Sequence, residues 1–224
     1  MVGAARLMPS IEHVLLALAS DYGEPSPPPL RSVFELLVLE NVAYLVDDAA
    51  RERAFAALKA NVGVQPRQLL AASDEALRSV TGAGILADHQ IGKLRRIAQL
   101  ALEDDPELVR TLPLRDAKRV LMRYPSIGEP GAEKILLCAR SHPVLGLESN
   151  GVRVLTRLGL VKEEKSYSRT YRNVQAFAAG MSGNLIRVHQ LLRQHGQELC
   201  RRTNPKCAAC PLRDGCGYYA RAVR

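Results

Sequence analysis

Apolar residues return every three or four positions along almost the whole chain, and this period constrains the fold more than any other feature. Ile11, Leu15, Leu16 and Leu18 form one such stripe, and Phe34-Leu37-Val38-Val42-Leu45 and Leu94-Ile97-Leu100-Leu102 form others. A period near 3.6 residues puts those positions on one face of an α-helix, whereas a half-buried strand alternates. No stretch alternates convincingly, so an all-α fold is expected. Prolines and glycines punctuate the pattern. GEPSPPPL (Gly23 to Leu30) cannot be helical inside, and further breaks fall at Gly63, Gly82-Ala83-Gly84, Asp105-Pro106, Pro113 and Pro125 to Gly131. About nine or ten helices joined by short loops are predicted.

No apolar run approaches the roughly 18 residues that a membrane span needs. In the N-terminal MVGAARLMPSIEHVLLALASDYGE, the apolar residues are interrupted by Glu12, His13 and Asp21. That reads as an amphipathic helix and not as an export signal. No membrane association is expected, and a reducing cytoplasmic setting follows. The net charge is +8, and position matters more than the total. Between Arg187 and Arg224 stand eight Lys/Arg against Glu198 and Asp214. A polyanion is the natural partner for such a segment, and nucleic acid is the commonest one.

The same segment holds four of the five cysteines, Cys200, Cys207, Cys210 and Cys216, within seventeen residues. In a reducing compartment, clustered thiols suggest a metal and not disulfides. Four soft thiolates on a short loop suit tetrahedral zinc or an iron–sulfur cluster. Only Cys207 and Cys210 form the C-x2-C knuckle that zinc modules use in pairs. The wider x6 and x5 loops favour something larger than one ion. The odd cysteine, Cys138, lies on the apolar side of a predicted helix and reads as a core thiol.

This spacing, preceded by His195-Gly196-x3-Cys200, resembles the [4Fe-4S] loop of the endonuclease III and MutY DNA glycosylases of the helix-hairpin-helix superfamily. The resemblance implies a [4Fe-4S] cluster held by the four cysteines of 200–216. It also implies that Arg201, Arg202 and Lys206 face DNA phosphates. A second match lies in 116–140, where two predicted helices flank Tyr124-Pro125-Ser126-Ile127-Gly128-Glu129-Pro130-Gly131. A tight turn opening a helix exposes N–H groups that bind phosphate without reading bases. Ser126, Gly128 and Gly131 would make that contact. The likeness is imperfect, because Ser126 replaces the family's first glycine. Pro130 stands where endonuclease III relatives carry the lysine that forms a Schiff base with the sugar. Proline offers no nucleophile there, and Lys134 lies one turn further on.

Glu148, in Leu147-Glu148-Ser149-Asn150-Gly151-Val152-Arg153-Val154-Leu155-Thr156-Arg157, falls on the family's catalytic aspartate. A carboxylate there stabilises the positive charge that develops on the sugar as an N-glycosidic bond breaks. Glu40, in the stretch from Phe34 to Asn41, matches the position at which MutY-type enzymes hold a glutamate that protonates the base. The Gln/Thr-rich wedge that follows in the family is missing, and Tyr44 could fill the vacated stack. The stretch Gly84 to Lys93 is expected as a loop that departs from the family's shorter one.

The resemblance spans about residues 30–220 and implies a two-lobed helical fold around a DNA groove. A six-helix lobe would cover 31–144, and a cluster lobe would join 1–30 to 145–224. Two functions are expected from it. The first is a monomeric, monofunctional glycosylase acting on a base flipped from double-stranded DNA, which in a bacterium would place it at the nucleoid. The second is a non-catalytic DNA-binding protein that keeps hairpin and cluster but has lost the chemistry. A zinc module binding RNA or protein is a third, disfavoured by the hairpin.

Overall fold

The structure is a computed structural model that describes residues 9–43, 46–82 and 87–222. Among these residues there are twelve α-helices and no strand. The period of the apolar residues therefore gives the fold class correctly but undercounts the helices. The extra ones are short: Pro66–Ala71 and Gly217–Ala222 have six residues each, too few to display a period. The chain divides into two compact units, Pro29–His142 and the remainder.

In the Pro29–His142 unit, α2 (Val33–Asn41) is the central helix, with seven of its nine residues buried. Such an all-round apolar helix must be surrounded by others. It packs against α3 (Asp48–Asn61), α6 (Ala87–Glu103) and α8 (Glu129–Cys138). Its start is closed by a reciprocal cap: Ser32 Oγ accepts from the Glu35 N–H, and Glu35 accepts from the Ser32 N–H. The short helices α4 (Pro66–Ala71) and α5 (Asp74–Thr81) lie on α6, and α7 (Leu114–Leu121) pairs with α8. Leu37, Leu58, Leu77, Leu94, Ile97 and Leu136 form the solvent-free centre.

Three sequence expectations are corrected within the elements. The segment expected as a loop from Gly84 to Lys93 is helical from Ala87 onward, and 83–86 lie outside the described residues. Arg78 on α5 holds Asp88 in the first turn of α6. Leu102 is exposed although Leu94, Ile97 and Leu100 are buried, because two residues on from Leu100 the helix has turned about 200°. Cys138 closes α8 half-buried and not in the core.

The other unit contains α1 (Ile11–Tyr22), α9 (Ser149–Leu158), α10 (Tyr167–Ala178), α11 (Leu185–Glu198) and α12 (Gly217–Ala222). On α1 the inward positions are Val14 and Leu18, whereas Leu16 points to solvent. The stripe is thus displaced from the one read in the sequence. α9 and α11 cross closely. A Cβ on Gly196 would lie 2.7 Å from the Asn150 carbonyl oxygen, so only glycine allows this crossing. The glycine of the His195-Gly196 pair is therefore explained by packing.

Candidate functional site

Hairpin geometry follows from the residues at its turn. α7 ends at Leu121, α8 opens at Glu129, and Gly128 is the N-cap. Pro130 sits in the first turn of α8, where its missing N–H costs nothing. Ser126 is exposed and adopts φ +62, the left-handed region where glycine is at ease. Gly128 has an ordinary φ of −92, and a Cβ there would meet nothing nearer than Pro130 at 3.9 Å. At Gly131 a Cβ would make only ordinary contact with Ile127, at 3.7 Å. Neither glycine is imposed by conformation or crowding. Below the turn, Lys118 of α7 reaches Glu129 at 2.7 Å and Glu133 at 2.9 Å on α8. Glu133 is only 2% exposed.

Two residues singled out in the sequence, Glu40 and Lys134, are brought together. Lys134 Nζ on α8 lies 2.6 Å from Glu40 Oε1 on α2, with both side chains largely shielded. Tyr44 lies outside the described residues.

Glu148 is the N-cap of α9. Its Oε2 accepts from the Asn150 backbone N–H at 3.3 Å and from the Asn150 side-chain amide at 2.8 Å. Its Oε1 lies 3.1 Å from Arg193 Nη1 on α11. That approach is charge to charge without hydrogen-bond alignment: Oε1 is buried and has no hydrogen-bond partner. A buried carboxylate oxygen left in this way calls for a reason. Nearby Tyr167 has its phenol pushed up by burial and by the Glu148 carboxylate.

The loop 200–216 is held from α9 by two arginines that the sequence reading quoted without giving them a role. Arg153 donates through Nε to the Cys200 carbonyl at 2.7 Å, and through Nη2 to the Gly196 carbonyl at 2.7 Å. Arg157 donates to the Arg201 and Arg202 carbonyls at 2.7 and 3.2 Å and stacks on Tyr218. Their spacing of four on one helix was the available signal. With the backbone so fixed, the Arg201, Arg202 and Lys206 side chains are exposed.

All four loop cysteines carry free thiols and line one pocket of about 380 Å³, part of it open to solvent, together with His195. Among the described residues no three Cys, His, Asp or Glu side chains are close enough to hold a single metal ion. Burial pushes the Cys200 thiol up and the Cys210 thiol to about 11. Bare thiolates are therefore disfavoured there unless something positive joins them. His195 is buried between Tyr22 Oη (2.9 Å from Nδ1) and Cys210 Sγ (3.5 Å from Nε2), and burial lowers it to about 4.

No family model matches the chain. It is 27% identical over 101 residues to endonuclease III of Rickettsia conorii, covering 45% of this chain and 47% of that protein. It is 29% identical over 188 residues to endonuclease III of Treponema pallidum, covering 83% and 84%. With the thymine/uracil-DNA glycosylase of Pyrobaculum aerophilum it shares 28% over 173 residues, covering 67% and 73%. Its fold superposes on a trapped endonuclease III–DNA covalent intermediate with TM-score 0.74 at 18% identity, covering 97% of this chain and all of that one. The chain is thus similar in sequence to endonuclease III proteins and to a thymine/uracil-DNA glycosylase, and its helical fold is that of a solved endonuclease III.

Proposed function

We propose that this protein is a monofunctional DNA glycosylase that hydrolyses the N-glycosidic bond of a damaged or mismatched base flipped out of duplex DNA. The observation that carries the reading is the Glu148 carboxylate. It is anchored through Oε2 on Asn150, while Oε1 is buried and meets Arg193 at 3.1 Å without hydrogen-bond alignment. A desolvated anion acts on a developing sugar cation more strongly than one in water. Flipping is required because the bond is out of reach in a stacked duplex.

The hairpin supports backbone contact with phosphate: its turn is exposed at Ser126 and Gly128, and no packing demands glycine at 128 or 131. Pro130 supports monofunctionality, since it supplies no amine. Glu40 serves as base acid in this reading only after giving up Lys134. Cys200, Cys207, Cys210 and Cys216 would hold a [4Fe-4S] cluster. The donor set fits: four free thiols round one pocket, with no disulfide competing. When bound, such a cluster supplies rigidity to the loop. Arg201, Arg202 and Lys206 then meet phosphates.

One observation favours the second reading, a DNA-binding protein without chemistry. Arg193 lies 3.1 Å from the Glu148 oxygen that would face the sugar charge and offsets its field. A lesion-duplex screen followed by alkali separates the two. Base release by the wild type, abolished in Glu148→Gln with DNA binding retained, is the expected result. Duplex binding with no lesion processed would leave the non-catalytic reading.

A further inference from the structure

In the unit built on α9 and α11, most cations are already spoken for. Lys162 pairs with Glu164, Arg187 with Glu24, Arg193 with Glu148 and Arg213 with Asp214. Arg153 and Arg157 are spent on loop carbonyls. Besides the cysteine-loop cations and Arg221 on α12, the cations without a salt bridge among the described residues of this unit are Lys165, Arg169 and Arg172, all exposed. Arg169 and Arg172 lie three apart on α10 and so share a face, while Lys165 stands just ahead of the Ser166 cap. Thr170, Tyr171 and Val174 point the other way, into the core. Glu164, whose carboxylate also feels Arg169, is held by Lys162 at 2.8 Å.

A set of like charges on one face repels itself, and nothing in the packing of α10 requires it. Its position gives it a use. Tyr167, in the first turn of α10, is 48% exposed and stacks on Tyr171 with ring centroids 6.1 Å apart. α10 packs against α9, the helix that Glu148 caps, and the Tyr167 phenol feels the Glu148 carboxylate, so the strip starts on the side of the candidate site. From Lys165 to Arg172 it runs on the order of 10 Å. Three long cationic side chains along that length can neutralise about two to three phosphates of one strand.

We propose that Lys165, Arg169 and Arg172 form a second phosphate-binding strip for duplex DNA, separate from the cysteine loop and the hairpin, that tracks the strand leading to Glu148. The strip rests on the DNA-binding part of the proposed function. It reads no sequence, because cations on phosphates position a duplex without touching base edges.

The test uses the full chain with Lys165, Arg169 and Arg172 all changed to Gln, and measures affinity for duplex DNA by fluorescence anisotropy as salt is raised. Each phosphate contact contributes about 0.9 to the slope of log K against log salt, so the slope should fall by about 2–3 on every sequence tried. Arg169→Lys with Arg172→Lys should restore it, and thermal melting should not move. An unchanged slope in the Gln variant, with a reduced slope in Arg201→Ala/Arg202→Ala, overturns the strip and leaves the proposed function standing. A wild type that does not bind duplex DNA overturns both. Loss of polyglutamate binding with DNA binding intact would assign the strip to an acidic protein partner and overturn the proposal as well.

Discussion

Lys134 Nζ and Glu40 Oε1 lie 2.6 Å apart, joining two side chains that are 94 residues apart in the sequence. Schiff-base chemistry requires a neutral amine. Lys134, one turn past Pro130, is the nearest amine along α8, and it is held in an ion pair with Glu40. Borohydride should therefore trap no covalent protein–DNA complex, and the product should be an intact abasic site cut only by alkali or heat. A trapped complex that disappears in Lys134→Ala would place the protein with the bifunctional enzymes.

The four-thiol pocket carries a prediction about iron. Anaerobically purified protein should be brown and hold about four irons per chain. Cys207→Ser should lose the colour, and proteolysis should then cut first within 200–216. Stoichiometric zinc without visible absorbance would replace the cluster by a single ion.

Lys118 ties the two hairpin helices together through Glu129 and the buried Glu133. Lys118→Met should cost on the order of 1–3 kcal/mol, because it removes the ammonium that Glu129 and the buried Glu133 share. A urea melt reads the shift in midpoint. Burial opposes the Lys118 charge, but the two carboxylates outweigh it and the lysine is raised above its ordinary 10.5. Its contribution to stability is thus fully present below pH ~10.5 and is lost as pH rises through the higher folded value.

Ser126 holds φ +62 at the turn. Left-handed backbone costs an ordinary residue about 1–2 kcal/mol, and glycine gives back about 0.4–1 of that through its freer unfolded chain. Ser126→Gly should stabilise the protein by roughly 0.5–1 kcal/mol, seen as a higher melting temperature, with DNA affinity unchanged if the turn binds through its backbone.

The sequence by itself determined what is local. A 3.6-residue period is written in neighbouring residues, so the all-α class was legible, as was the central place of a helix as apolar as Val33–Asn41. The period failed where too few residues carried it, at Pro66–Ala71 and Gly217–Ala222, and it wrongly counted Leu16 on α1 and Leu102 on α6 among the inward positions. The cysteine spacing was equally plain, because all four thiols lie on one loop. Only the tertiary structure decided the partnerships. Arg153 meets Cys200 across 47 positions, Glu148 meets Arg193 from another helix, and Lys134 meets Glu40 across 94. The physical reason is that a charge finds its counter-charge through packing, and helix crossings such as that at Gly196 are set by whole surfaces and not by any segment of sequence.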